Sequence, residues 1–285
     1  MTFLITGATG NIGRLVVERL AGHPVRALTR TPGTARFPAD VEVVGGDLER
    51  PDSLVEALRG VRRMYLFPTP GTARAVVARA AEAGVERIVV LSSGAVPAGL
   101  DTEIHLPVER AVEESGLEWT HVRPGEFMLN KLWLWGPSIR AERTVRDPFP
   151  DAAWYPVHEA DVADVAAAAL LDDDHANAAH TLNGPELISH RDQVAAIAAA
   201  IGEDIALEEV TAETARDLYR AQGGFAAANA DFLLGFEDYS GAEASPETIA
   251  DFDPTSVGPV PTAEPVTGRA RTFAEWAADH ADDFR

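Results

Sequence analysis

The run Phe3-Leu4-Ile5-Thr6-Gly7-Ala8-Thr9-Gly10-Asn11-Ile12-Gly13 decides the fold. Its first three residues are uninterrupted apolar, as in a strand buried on both faces, and Ile12, Leu15, Val16 and Leu20 then recur at helical spacing. Between them, Gly7 permits a tight turn, Gly10 lets the backbone approach a pyrophosphate, and Gly13 lets the helix pack close to the strand. The start of that helix offers unpaired N–H groups and a positive dipole end to an anion. A P-loop needs Lys followed by Ser or Thr after its last glycine, and Arg14-Leu15 stand there instead. A glycine triplet also occurs in ordinary strand–loop–helix connections. The strand before it and the helix after it favour a dinucleotide turn.

Outward from this turn, strand and helix signals alternate. Apolar strands at 25–28, 41–44, 64–67, 88–91 and 119–122 are interleaved with helical stretches at 11–21, 53–58, 72–83 and 107–115. That rhythm predicts βαβ units in an α/β fold: a Rossmann-type doubly wound parallel sheet with right-handed crossovers, its ligand beyond the carboxyl ends of the strands. Residues 1–130 are expected to form this dinucleotide-binding domain. Residues 131–285 are expected to form mainly a smaller α+β C-terminal cap that makes the substrate cleft, with about 155–172 returning to the first domain. Helices are expected at 162–171, 191–201, 212–222 and 225–234, and strands at 181–182 and 205–210. The stretch 240–265, rich in Gly, Pro, Ser and acid, reads as a loop with one short helix.

Composition narrows the function. With 285 residues the chain can bury a sizeable core, and a net charge of −21 argues against nucleic acid as a direct partner. It has no cysteine, and Lys131 is its only lysine. No apolar run approaches the length of about 18 residues that a membrane helix needs, and no signal peptide is evident. The expected setting is cytoplasmic, with a small-molecule substrate and no membrane association.

Several segments together resemble the atypical short-chain dehydrogenase/reductases, specifically the NmrA-like and quinone-reductase-like branch. They are GATGNIG at 7–13, VRALTR ending at Arg30, GDL at 46–48 and SSGA at 92–95. SGLEWTHVRPGEFMLN at 115–130, LNGPELIS at 182–189 and a terminal VTGRARTFAEWAADHADDF continue the pattern. The resemblance spans nearly the whole chain and implies a nicotinamide dinucleotide held by Gly7, Thr9, Gly10, Asn11, Ile12 and Gly13. It implies that Asp47 and Leu48 meet the adenine, that Phe67 and Pro68 line the ribose–nicotinamide channel, and that Ser92 and Ser93 supply nicotinamide-side hydroxyls. From the residues alone, Asp47 reads equally as a turn cap and the serine pair as a helix cap.

Arg30 closes the second strand, where NAD-specific folds usually carry Asp or Glu for the ribose hydroxyls. A guanidinium can instead bind a 2′-phosphate through paired N–H donors. The expected cofactor is therefore NADP(H), preferred over NAD(H).

At the catalytic position the chain departs from the wider superfamily, whose Tyr-x-x-x-Lys supplies the proton. Counting back from Ser115-Gly116-Leu117 puts Asp101 at the tyrosine and His105 at the lysine, with Glu109 one turn further. No tyrosine or lysine lies between Asp101 and Gly125. His105, with an ordinary pKa of about 6.5, can exchange a proton at neutral pH, hold the nicotinamide ribose, or simply precede a helix. The sequence offers no second residue to tune it. Phe127, Asn130, Trp133 and Trp154 are the expected substrate-pocket residues, with Asn130 orienting; core packing is the other fate of such aromatics. Glu126 replaces a more usual apolar residue of the family. His121, inside a strand, reads as a packing residue, and His158-Glu159-x-Asp161 lacks the histidine spacing of a zinc site, so no metal is expected.

The reading that follows is an NADPH-dependent reductase of a small conjugated, quinone-like or imine substrate, by hydride transfer without the Tyr-x-x-x-Lys pair. The alternative is a non-catalytic NAD(P)-binding redox sensor of NmrA type, which would imply a protein partner.

Overall fold

The computed structural model describes residues 1–253 and 260–285. The expected 240–265 loop therefore lies partly outside the described residues. In chain order the elements are β1 (Thr2–Ile5), α1 (Asn11–Arg19), β2 (Val25–Thr29), β3 (Glu42–Gly45), α2 (Val55–Leu58), β4 (Val61–Leu66), α3 (Ala73–Glu82), β5 (Arg87–Leu91), α4 (Leu106–Glu113) and β6 (Glu118–Pro124). Next come α5 (Asn130–Leu134), α6 (Gly136–Glu142), β7 (Thr144–Asp147), β8 (Ala153–Trp154), α7 (Glu159–Leu171), β9 (Ala178–Leu182), β10 (Ile188–Ser189) and α8 (His190–Ile201). The last are β11 (Ala206–Glu209), α9 (Ala212–Gln222), α10 (Gly224–Leu233), α11 (Glu247–Ala250), α12 (Glu264–Thr267) and α13 (Phe273–Asp279).

The chain divides into two units. The first comprises 1–125, 159–182 and 263–269; the second comprises 126–158, 183–262 and 270–285. Compared with the sequence expectation, the first unit ends at 125 rather than 130, and both β9 and α12 belong to it.

In the first unit a seven-stranded parallel sheet runs β3-β2-β1-β4-β5-β6-β9. The reversal of direction at β1 and β4 makes it doubly wound. Apolar residues of β1, β4 and β5, such as Leu4, Met64, Ile88 and Val90, are fully buried, as a sheet covered on both faces requires. The edge strand β9 is the one that sequence foresaw only as 181–182. It pairs with β6 along five residues, from Thr120–Ala178 to Pro124–Leu182.

Helix α7 is apolar nearly all round, and ten of its residues are buried. Its C-terminal carbonyls are met by two arginines from the strands beneath. Arg63 donates to Leu170 O at 2.7 Å, and Arg87 to Ala169 O at 3.2 Å and Asp172 O at 2.6 Å. Cations at a helix C-terminus satisfy orphan carbonyls and favour the dipole. Arg87 itself is balanced by Glu118 at 2.6 Å and Asp173 at 2.9 Å, which explains how a charged residue is buried in a central strand.

His121 in β6 is fully buried, stacks on Trp119 at 4.4 Å, and reaches Glu113 at 3.1 Å. Burial, opposed by Glu109 and Glu113, holds its pKa below the ordinary 6.5, and burial does the same to His180. The unfolded chain then binds more protons than the folded one just below that pH, so stability rises with pH there. Thermal unfolding temperature is expected to be level above neutrality and to fall as pH drops below 6.5. His121→Phe should flatten part of that slope; an unchanged slope would show that the buried imidazole contributes nothing to it.

The second unit has its own core of Met128, Trp135, Ile139, Val145, Ile197, Phe273, Trp276 and Phe284. Two small sheets brace it: β7 with β11 in parallel, and β8 with β10 antiparallel. Helices α5 and α6 and strands β7, β8 and β10 are absent from the sequence expectation, their apolar runs being too short to show a period. At the start of α13, Thr272 and Glu275 form a reciprocal capping box.

Candidate active site

The turn after β1 opens a cavity of about 630 Å³ within the first unit. Gly7, Thr9, Gly10, Asn11, Ile12 and Gly13 line one side; Arg30, Asp47, Leu48 and Phe67 also line it. Thr29, Thr31, Tyr65, Thr69 and Leu91, which sequence reasoning did not select as contacts, complete much of the wall. All sit at or just beyond strand ends, the position this fold gives to ligands. Pro68, Ser92 and Ser93 are not among the lining residues.

Two glycines have distinct physical roles here. Gly7 has φ +57°, which side chains disfavour. At Gly13 an added Cβ would stand 2.2 Å from the Gly7 carbonyl oxygen and 2.8 Å from its carbon. The first turn of α1 runs against the preceding loop with no space for a side chain. Gly10, the N-cap of α1, supplies no side-chain cap, so the first-turn N–H groups remain for an anion.

Arg30 follows β2 directly, is exposed, and makes no hydrogen bond or ion pair among the described residues. Asp47 is more occupied. One carboxylate oxygen accepts the Glu49 N–H at 3.1 Å and the other accepts from Arg50 at 3.1 Å. The Glu49 N–H is the main cause of a pKa below the ordinary carboxylate range, helped by Arg50 and the nearby Arg30. Asp47 thus caps its own turn while facing the cavity.

The serine pair is engaged by the fold. Ser92 is buried and its hydroxyl donates to Glu109 at 2.5 Å, while Arg123 grips the same carboxylate at 2.7 and 2.8 Å. Burial alone would raise the Glu109 pKa, but Arg123 and Ser92 bring it below its ordinary value. Ser93 accepts the Ala95 N–H at 3.1 Å. Ligand atoms of Glu109, Glu113 and His121 lie within 4.8 Å of one another, but Arg123 and Ser92 already take the Glu109 oxygens.

His105 is the N-cap residue of α4 and is partly exposed. Its Nδ1 lies 2.5 Å from Asp101, which also accepts the N–H groups of Ile104 and His105 at 3.1 and 3.0 Å. This corrects the expectation that nothing tunes the imidazole: a buried carboxylate orients it. Burial pushes the Asp101 pKa up, and the bonds from His105 and Ile104 more than reverse that, leaving an anion below the usual range. Nδ1 held by a carboxylate leaves Nε2 for a ligand, the division of roles seen wherever an Asp–His pair moves protons. The signal was in the sequence as an i,i+4 pair, Asp101 and His105. His105 does not line the 630 Å³ cavity.

In the second unit a cavity of about 410 Å³ is walled by aromatic and aliphatic residues, including Trp135, Phe149, Trp154, Tyr219 and Phe252. Of the four expected pocket residues, Trp154 lines it; Phe127, Asn130 and Trp133 do not. Phe127 bridges to Val157, Trp133 packs on Phe225 at 5.0 Å, and Asn130 opens α5, so local packing explains them. Glu126, Lys131, Asp147 and His190 form a polar wall that sequence reasoning missed as a group. Its one visible signal is a lone lysine in an apolar stretch. Burial would raise the pKa of Glu126 and of Asp147, but Lys131 beside the first and His190 beside the second outweigh it and hold both below their ordinary values.

An NAD(P)H-binding family model matches residues 7–173. The chain is 39% identical over 292 residues to (4-alkanoyl-5-oxo-2,5-dihydrofuran-3-yl)methyl phosphate reductase of Streptomyces griseus, covering 99% of this chain and 98% of that one. It is 33% identical over 295 residues to the NAD(P)H azoreductase of Xenophilus azovorans, again covering 99% and 98%. Among solved structures, triphenylmethane reductase from Citrobacter sp., complexed with NADP(H), matches 99% of this chain and 100% of its own at a TM-score of 0.78 and 20% identity, a likeness of fold.

Proposed function

The chain belongs to the NAD(P)H-binding atypical short-chain dehydrogenase/reductases of the NmrA-like and quinone-reductase-like branch, and from that membership we propose an NADPH-dependent reductase of a small conjugated, quinone-like or imine acceptor. It is an NAD(P)H-dependent oxidoreductase, and the relatives it matches end to end are a reductase and an NAD(P)H azoreductase. The names of those relatives carry unsaturated, polarised groups, an oxo-dihydrofuran and an azo function. Such groups accept hydride without a strong acid, which suits a chain lacking Tyr-x-x-x-Lys.

The observation that carries the cofactor choice is Arg30, uncommitted at the cavity wall where an NAD-specific fold places an acid. The residues fit the dinucleotide: α1's first turn and Gly10 for the pyrophosphate, Arg30 for a 2′-phosphate, Asp47 and Leu48 for the adenine side, and Phe67 along the ribose. Bound reduced nicotinamide supplies the hydride. For the proton, His105 Nε2 is the donor and Asp101 keeps the ring oriented. None of this chemistry calls on a metal.

The test compares NADPH with NADH in the wild type and in Arg30→Ala, with one acceptor. The variant should lose about 1.5–3 kcal/mol of NADPH binding, the scale of a hydrogen bond to a charged group, and leave NADH almost unchanged. Equal losses for the two cofactors would mean that Arg30 serves the fold and not the phosphate.

A further inference from the structure

The cavity of the second unit has one polar wall in a largely apolar lining, and that wall is a chain of four ionisable side chains. Lys131, itself buried, places Nζ 3.0 Å from the Glu126 carboxylate and 3.4 Å from His190 Nε2. The same ammonium lies 4.6 Å from the centre of the Trp135 ring. On the far side His190 Nδ1 meets Asp147 at 3.1 Å, and Asp147 also accepts the Phe149 N–H at 2.8 Å.

The hydrogen-bond pattern assigns the protons. Asp147 is an acceptor, so His190 carries its proton on Nδ1 and turns the Nε2 lone pair to Lys131. An ammonium has three N–H groups. Glu126 and His190 lie within reach of two, the Trp135 ring face stands beside the ammonium, and Lys131 lines the cavity.

The wall therefore offers a ligand a hydrogen-bond donor whose charge is already balanced. Both carboxylates are engaged by protein donors. A protonated imine or amine would bring N–H against N–H and like charge against like. A phosphate or carboxylate would add negative charge beside Glu126 and Asp147, at a desolvation cost the single lysine does not offset. A carbonyl oxygen brings neither penalty and can accept from the ammonium that lines the cavity. The surrounding Phe149, Trp154, Tyr219 and Phe252 suit a flat, uncharged body.

We propose that Lys131, held in place by Glu126 and by the His190–Asp147 pair, binds the oxo group of a neutral conjugated carbonyl compound in this cavity. Its meaning as the acceptor site rests on the reductase reading above. It narrows that reading to carbonyl acceptors over imines.

Calorimetric titration of the full-length protein with menadione and with 2-methylnaphthalene, the same ring system without oxygens, tests it. The wild type should bind menadione about 10-fold or more tightly than the hydrocarbon, as one hydrogen bond to a charged donor predicts. Lys131→Met should erase that margin while keeping hydrocarbon affinity, which also shows that the cavity is still folded. Lys131→Met combined with Glu126→Gln, which also removes the carboxylate that Lys131 faces, should behave the same way. A wild type with no preference, no binding of either compound, or a preference that survives both variants would overturn the proposal. A Lys131-dependent preference without NADPH consumption would uphold it and overturn the reductase reading instead.

Discussion

Gly10→Val is expected to abolish NADPH binding in a protein that still folds, whereas Gly13→Ala should damage both binding and stability. The two positions differ in what surrounds them. Gly10 has φ −81° and ψ 174°, a conformation open to any residue, and a Cβ there would meet only the Gly7 oxygen at 3.2 Å. The remaining atoms of a valine would stand over the first-turn N–H groups of α1, in the space the pyrophosphate needs. At Gly13 the Cβ would meet backbone alone, at 2.2, 2.8 and 3.0 Å, so the strand–helix turn must open. Overpacking of this kind typically costs about 1–3 kcal/mol and here deforms the binding loop as well. Calorimetry with NADPH beside a thermal melt separates the cases. Unchanged affinity in folded Gly10→Val would remove the turn from the binding site. A wild-type melting temperature in Gly13→Ala would contradict the close packing.

The second large effect is expected at the acid–base pair. If His105 delivers the proton, His105→Ala should lower turnover by about 10²–10⁴-fold, the usual contribution of a positioned general acid. NADPH affinity should hardly move. Asp101→Asn should reduce turnover in the same direction, because the ring loses the carboxylate that orients it. If affinity falls while turnover at saturating NADPH survives, His105 holds the ribose instead. If neither quantity moves, water supplies the proton.

What the sequence made legible follows from how local each feature is. The β1 turn, the start of α1 and Arg30 at the end of β2 are set by neighbouring residues, and reading them in order places the cavity. Asp101 and His105 are also near in sequence, and their pairing could have been read from the four-residue spacing ahead of Pro107. The Ser92 hydroxyl could not. It is claimed by Glu109 and Arg123, which arrive from α4 and β6. The polar wall of the second cavity draws on residues 126 to 190, a separation over which side-chain spacing carries no signal. The aromatics show the same limit. Trp133 and Trp154 look alike in the sequence, yet Trp133 packs on Phe225 and Trp154 lines a cavity. The returns of β9 and α12 to the first unit are likewise tertiary outcomes, with only short apolar runs to announce them.

NADPH consumption by the purified wild-type protein, followed across quinones, enones and imines, tests the central claim most directly. The account predicts oxidation of NADPH that depends on an added conjugated acceptor, with NADH a poorer donor. NADPH that binds yet is consumed with no member of the panel would contradict it.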